Sequence, residues 1–155
     1  MKFTIEQVAI NPPNPEIAQA FLAELGAAEW CKDQVRASGN VYGAPTQSVA
    51  NLAFNYSIMP GGEFEVLSYL AGENWLEGGC RSGGVSHLGM HCSAEELIKW
   101  REFFAAKGVP VAQEVVTTSH TNPAIKDDRR YNYVIFDTKA IIGVDLKFIV
   151  RLPYA

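Results

Sequence analysis

Hydrophobic positions along the chain change their period twice, in the same order each time. Between Phe3 and Ile10 they alternate, with Val8 and Ile10 on one face and Gln7 and Ala9 on the other, which predicts a short strand. Asn14 then supplies a helix N-cap, Pro15 suits the first helical position and Gly26 supplies a left-handed stop. Ile17, Phe21, Leu22 and Leu25 recur between them at helical spacing, so residues 15–25 are expected to form a helix that buries this stripe. Extended stretches follow at 29–41, 49–58 and 63–70, separated by turn signals such as Met59-Pro60-Gly61-Gly62. The order is βαβββ.

After a Gly-rich link the order repeats. Residues 85–92 read as a strand, and Ser93-Ala94-Glu95-Glu96 has the capping-box pattern of a helix start. Leu97, Trp100, Phe103 and Phe104 give this helix its buried stripe, and Lys107-Gly108 ends it. Strands are expected at 111–118, 131–137 and 141–150, with a charged loop from Ser119 to Arg130 in which His120 is expected to face solvent. The expected fold class is α+β: two βαβββ modules related by a pseudo-twofold, forming a cup-shaped, incompletely closed barrel of mixed β-sheet. Residues 1–155 then make one domain, with module 1 at 1–71, the link at 72–83 and module 2 at 84–155.

Composition narrows the function classes. Of 155 residues, 48% are apolar and 19% charged, the balance of a globular chain with a sizeable core. The net charge of −4, without a basic run, argues against nucleic acid as a partner. No apolar stretch approaches a membrane span and no leader pattern opens the chain, so a cytoplasmic location and no membrane partner are expected. Cys31, Cys80 and Cys92 are odd in number and lack a Cys-x-x-Cys, which points to reduced thiols.

The repeat brings chemistry-bearing residues into register. The caps Asn14 and Ser93 set an offset near 80, which carries Gln7 to His87 and Glu65 to Asp145, each pair of partners within a half lying 58 residues apart. Strand alternation turns all four away from their apolar neighbours and toward the concave face. An amide oxygen, an imidazole nitrogen and two carboxylates form a mixed N/O set suited to one divalent metal ion such as Zn, Ni, Co, Mn or Fe, with Gln7 equally readable as a polar lining residue. His91 lies roughly 13 Å along the strand from His87, too far for the same ion. Lys147 shares the face of Asp145, where it suits a substrate carboxylate or, pairing with Asp145 in place of a metal, marks a binding module. Arg129 and Arg130 read as an anion clamp at the cup mouth or as a solvated hairpin. Trp30, Tyr42, Phe54, Tyr56, Tyr69 and Trp75 are candidate cup-lining aromatics or simple core.

At Ile5-Glu6-Gln7-Val8-Ala9-Ile10, Glu63-Phe64-Glu65-Val66-Leu67, Gly84-Val85-Ser86-His87-Leu88-Gly89 and Gly143-Val144-Asp145-Leu146 the chain resembles the vicinal oxygen chelate superfamily over nearly its whole length. That superfamily includes glyoxalase I, methylmalonyl-CoA epimerase, extradiol dioxygenases and bleomycin or fosfomycin resistance proteins. The resemblance implies metal ligands at Gln7, Glu65, His87 and Asp145, with Asp145 one methylene shorter than the Glu of a Gln, Glu, His, Glu set like that of some glyoxalase I enzymes. It further implies a glyoxalase-like, metal-dependent lyase or isomerase acting on a small carbonyl compound or its thiol adduct through a metal-chelated enediolate, with Glu65 or Asp145 as the catalytic base. The alternative is a metal-free small-molecule-binding protein of the bleomycin-resistance type. An extradiol dioxygenase needs two His and one carboxylate, and position 7 offers Gln. The link permits a cup within one chain or one shared across a homodimer.

Overall fold

The computed structural model describes residues 1–71 and 84–154. The link at 72–83, with Trp75 and Cys80, lies outside them. Among the described residues, eight strands and three helices run in the order β1 (Gln7–Ile10), α1 (Pro15–Glu24), β2 (Cys31–Val41), β3 (Ala44–Asn55), β4 (Glu63–Ala71), β5 (Val85–His91), α2 (Ala94–Ala106), β6 (Val111–His120), β7 (Arg129–Phe136), α3 (Lys139–Ile142) and β8 (Asp145–Pro153). The strands close into a barrel in the spatial order β1-β4-β3-β2-β6-β7-β8-β5. Each half contributes a four-stranded sheet with its first strand parallel to its last, and the halves meet at two antiparallel seams, β1 with β5 and β2 with β6. This is the expected pair of βαβββ modules, closed where an open edge was expected. At the second seam Gly39 allows the strands to approach, because a Cβ there would stand 2.0 Å from the Glu114 carbonyl oxygen.

Both helix starts are built as their sequences dictate. Asn14 accepts the Ile17 N–H at 3.1 Å, and Ser93 and Glu96 form the reciprocal capping box. The two helices bury different things. On α2, Leu97, Trp100 and Phe104 pack on Phe136 and Phe148 of the second sheet, with Phe104 and Phe136 stacked at 4.3 Å between centroids. On α1 most of the expected stripe faces outward: Ile17, Phe21 and Leu25 are 65%, 59% and 70% exposed, Leu22 is half-buried, and Gln19 is the buried residue. The helix lies on the sheet through Gln19 and the half-buried Ala18, Leu22 and Ala23.

Other boundaries also differ from expectation: β1 spans Gln7–Ile10 rather than starting at Phe3, β3 spans Ala44–Asn55 rather than 49–58, and two differences in the second module bear on the site. Residues 139–142 form the short helix α3, closed by Gly143 at φ 83°, so β8 starts at Asp145 and not at Ile141. Strand β6 extends through His120, which is buried rather than exposed because its ring is bonded to Asp33. Among the described residues no helix is long and apolar enough to cross a membrane.

The asymmetry between the helices has a measurable consequence. Trp100→Ala should destabilise the fold by about 3–5 kcal/mol in urea denaturation, the range for deleting a core aromatic. Phe21→Ser should change stability by less than about 0.5 kcal/mol. A loss at Phe21 as large as that at Trp100 would show that the α1 stripe is covered in solution.

Candidate functional site

The barrel encloses a cavity of about 110 Å³ that opens past Arg129 and Tyr131 and is floored by Gln7, Glu63, Glu65 and Lys147. Strand alternation puts these four on the inner face. Their neighbours Val66, Leu146 and Phe148 point to the other side, and Leu146 and Phe148 there join the core under α2. Below the floor, Lys147 and Tyr133 also border a smaller apolar void lined by Val35, Ala50 and Leu67.

Gln7 is the hub. It is 2% exposed; its Oε1 accepts the His87 Nε2–H at 2.7 Å, and its amide donates to Glu63 and, at 3.4 Å, to Oε2 of Glu65. Gly89 leaves the room this side chain takes, since a Cβ there would stand 3.0 Å from the Gln7 Oε1. His87 is fully buried, with Nδ1 3.3 Å from the Ser86 hydroxyl. Burial first, and then the Lys147 charge, hold its pKa well below the usual 6.5, so the imidazole is neutral.

Glu65 is 1% exposed, and its Oε1 has no hydrogen-bond partner among the described residues; the nearest charged-type atom is His87 Nε2 at 4.0 Å. Burial pushes its pKa up to about 7, with Lys147 pulling it down and Glu63 adding to the rise. Lys147, 5% exposed, lays its ammonium 4.2 Å from the centroid of the Tyr133 ring and makes no ion pair or hydrogen bond with a described residue. Among the described residues this ammonium therefore faces the cavity with an aromatic ring as its contact.

The register corrects the repeat arithmetic. Val8 stands opposite Leu88 at the β1–β5 seam, which makes Gln7 and His87 equivalent at the expected offset of 80. Gln7 is paired with Glu63, however, and His87 with Asp145. Asp145 is thus the counterpart of Glu63, while Glu65, beside Ala9, corresponds to Lys147, beside Gly89. A slip of two residues keeps every side chain on its face, so alternation alone cannot detect it.

The predicted four are accordingly divided. Gln7, Glu65 and His87 come together, whereas Asp145 does not line the cavity and its Oδ1 accepts the Lys139 N–H at 3.2 Å at the start of α3. Of the two arginines, Arg129 lines the cavity mouth, with its Nε buried and without a partner among the described residues. Arg130, the next residue on the strand, does not line it. Phe54 and Tyr56 line the cavity and Tyr69 the lower void, while Tyr42 sits at the β2–β3 turn, where its hydroxyl donates to Asp137 at 2.6 Å.

A second cluster on the opposite wall was not anticipated. Asp33 on β2 takes a 2.7 Å hydrogen bond from His120 Nδ1, and its other oxygen accepts the Thr121 and Asn122 N–H groups at 2.9 and 3.0 Å. His120 Nε2 is 3.0 Å from the Thr117 hydroxyl. Burial works to raise the Asp33 pKa, but the His120 bond and the two backbone N–H groups outweigh it and hold the carboxyl below its ordinary 3.8. The only sequence signal was the inward parity that Asp33 shares with Val35 and Ala37.

Solved structures share this architecture. A variant of 4-hydroxymandelate synthase from Streptomyces coelicolor superposes over 98% of the chain with a TM-score of 0.58 and 10% identity; the chain spans about half, 50%, of that protein. A hypothetical protein from Bacillus halodurans matches over 98% of this chain and 96% of its own, with a TM-score of 0.53 and 14% identity. Methylmalonyl-CoA epimerase from Mycobacterium tuberculosis matches over 99% and 94%, at 0.52 and 13% identity. All three belong to the vicinal oxygen chelate superfamily. The chain has the vicinal oxygen chelate fold. No family model and no curated protein matches its sequence.

Whether a divalent ion fits this version of the fold is decided by its donors. Two ligands each about 2.1 Å from one ion stand roughly 3 Å or more apart. Gln7 Oε1 and His87 Nε2 are closer than that, joined by a hydrogen bond that uses the imidazole N–H. The corner related to Glu65 carries the Lys147 ammonium, which repels a cation. Among the described residues no three His, Cys, Asp or Glu side chains are grouped to hold an ion. The expected four-ligand set of Gln7, Glu65, His87 and Asp145 is therefore not assembled.

The Asp33 cluster gives a test of its own. Asp33→Ala should cost about 3 kcal/mol at pH 7, since it strands a buried imidazole and two backbone donors. Because the folded carboxyl lies below 3.8, this stability is complete above about pH 4 and is lost as pH falls through the folded value. The variant's deficit in chemical denaturation should shrink correspondingly below pH 4.

Proposed function

We propose that the chain is a lyase or isomerase that moves a proton on a small carbonyl compound, or on its thiol adduct, with Glu65 as the base. The observation that carries this reading is Glu65 itself: a buried carboxyl at the cavity floor with one oxygen unpartnered among the described residues and a pKa of about 7. Its carboxylate would take a proton from the carbon beside the carbonyl, becoming the acid, while the bonding electron pair moves to the carbonyl oxygen as an enolate. With an α-hydroxycarbonyl substrate the enolate is an enediolate, and passage of the hydroxyl proton to the former carbonyl oxygen with return of the carbon-bound proton from Glu65 to the former carbonyl carbon completes an isomerisation; expulsion of a leaving group from the carbon next to the deprotonated one, as the carbonyl re-forms, completes a lyase reaction. Gln7, bonded to Oε2, keeps the free oxygen of Glu65 in place. Asp145 is set aside as the base because α3 holds it away from the cavity. Arg129 at the mouth suits an anionic group on the substrate, and Phe54 and Tyr131 supply apolar walls.

A second reading, a metal-free binding protein, draws on the aromatic lining and the cavity-facing Lys147. Solvent-deuterium exchange separates the two. Small α-hydroxycarbonyl compounds and hemithioacetals are incubated with the protein in D₂O, and exchange at the carbon next to the carbonyl is followed by NMR. The enzyme reading expects exchange that Glu65→Gln lowers by about 10²–10⁴-fold. Binding without exchange across the panel would refute it in favour of the binding protein.

The pH dependence follows from the direction of the shift. A base must be ionised, so the rate should rise with pH to half its plateau near pH 7. Glu63, Lys147 and His87 face this carboxyl, and none of the described groups around it reverses the sign. The same shift makes the ionised Glu65 a cost to the fold that is absent below about pH 4.5 and complete above pH 7. Glu65→Gln should therefore stabilise the protein at pH 8, by up to roughly 3 kcal/mol, and have no such benefit at pH 4. Thermal denaturation at the two pH values checks it.

A further inference from the structure

We infer that the Lys147 ammonium takes the place of a metal ion in this site, so that the cavity binds the oxygens of a small α-oxo or α-hydroxy carboxylate directly, without a divalent cation. This rests on the proton-transfer reading only for the identity of the reaction; the binding claim stands on the geometry of Lys147. Three observations carry it.

First, the β1–β4 and β5–β8 registers place Lys147 at the corner symmetric to Glu65, completing the square whose other corners are Gln7 and His87. A positive charge at that corner serves the role a cation would serve at the centre. Second, the ammonium is buried and borders the cavity, yet has no ion pair among the described residues; the Tyr133 ring lies 4.2 Å from it. A buried charge without a bonded counter-charge is costly, and an anionic ligand in the cavity offsets that cost. Third, the residue beside Lys147 across the β5–β8 pair is Gly89, which presents no side chain, so the room a side chain would take there is filled by Gln7.

The arrangement suits a particular ligand chemistry. Glu65 and Lys147 present a base and a cation on one floor, and about 110 Å³ above them accommodates a molecule of a few heavy atoms. A carboxylate with an adjacent oxygen can direct that oxygen to the ammonium and its other end toward Arg129 at the mouth. As an enolate forms, negative charge develops on the oxygen nearest Lys147, where a fixed positive charge stabilises it most. No metal needs to be supplied and no electrons leave the substrate.

Oxalate, a planar dianion of the right size, is the probe. Chelator-treated full-length protein should bind it in calorimetry with the same affinity whether or not Zn²⁺ or Mn²⁺ is added, and should retain neither ion after dialysis. Lys147→Gln should weaken oxalate at least tenfold, while Lys147→Arg, which keeps the charge, should stay within tenfold of the parent and covers the case in which the neutral variant fails to fold. Lys147→Glu restores an acidic corner and should both abolish oxalate binding and retain one Zn²⁺ per folded chain. The inference is overturned if the parent protein holds a stoichiometric ion that His87→Ala removes, if oxalate binds only with added metal, if folded Lys147→Gln binds oxalate unchanged, or if folded Lys147→Glu takes up no zinc. Oxalate binding as expected, together with no deuterium exchange on any carbonyl compound, would uphold Lys147 and refute the proton-transfer reading instead.

Discussion

The hydrogen bond from His87 to Gln7, 2.7 Å long and sealed from solvent, is the interaction on which the centre of this protein depends. It crosses the β1–β5 seam where the two modules meet, and it joins residues that the pseudo-twofold makes equivalent. A single hydrogen bond contributes only about 1 kcal/mol net, but leaving either partner alone in this interior would cost more than the bond contributes. Each of the two residues therefore requires the other. The amide, with donor and acceptor on one planar group, then passes the constraint on: what faces His87 is the oxygen, so what faces Glu63 and Glu65 is the nitrogen. One side-chain rotation thus sets the tautomer of a histidine and orients a carboxyl group.

Low dielectric in the barrel makes the charges around that bond interdependent. Glu65 is driven toward its neutral form by burial, His87 is kept neutral for the same reason, and Lys147 acts on both in opposite senses: it favours the carboxylate and disfavours the imidazolium. The floor of the cavity is therefore poised to change its charge near neutral pH without any change in fold. Across the cavity, Asp33 shows the contrasting case, because the His120 ring and the backbone N–H groups of Thr121 and Asn122 reach its two oxygens and fix it as a carboxylate. Two buried acids in one barrel thus differ in state because one is supplied with hydrogen-bond donors and the other is left one oxygen short.

Much of the architecture was legible in the chain, for reasons that can be assigned to particular residues. Asn14, Ser93 and Glu96 mark helix starts because their side chains satisfy backbone N–H groups within three residues, an interaction that needs nothing from the rest of the fold. Parity on β1, β4, β5 and β8 was equally readable, since alternation is a property of each strand alone. What sequence could not supply was pairing. Offsets of 80 and 82 give identical alternation for the last strand, and only the parallel partners of Gln7 and His87 distinguish Asp145 from Lys147 as the residue corresponding to Glu65. Burial of most of the α1 stripe was misread for a related reason: helical period shows that one face is apolar, but not which face meets the sheet. His120 looked like a loop residue because the residue that buries it, Asp33, is 87 positions away.

The two-residue slip also explains how one fold can host opposite electrostatics at a shared centre. Because the inner faces of β4 and β8 each offer two successive positions beside the seam, Glu63 and Glu65 on one side and Asp145 and Lys147 on the other, the site can draw its fourth group from either level. Asp145 sits beside the first turn of α3, where a backbone N–H binds it and the helix N-terminus suits an anion. With that acid engaged elsewhere, the level facing the cavity is left to Lys147, against the negative face of the Tyr133 ring. A change from carboxylate to ammonium at one corner leaves strand pairing and burial intact, since both side chains present an aliphatic stem to the sheet and a charge to the cavity. What it alters is the sign of the charge that an incoming ligand meets, and hence whether the first partner such a floor recruits is a cation or the substrate's own anion.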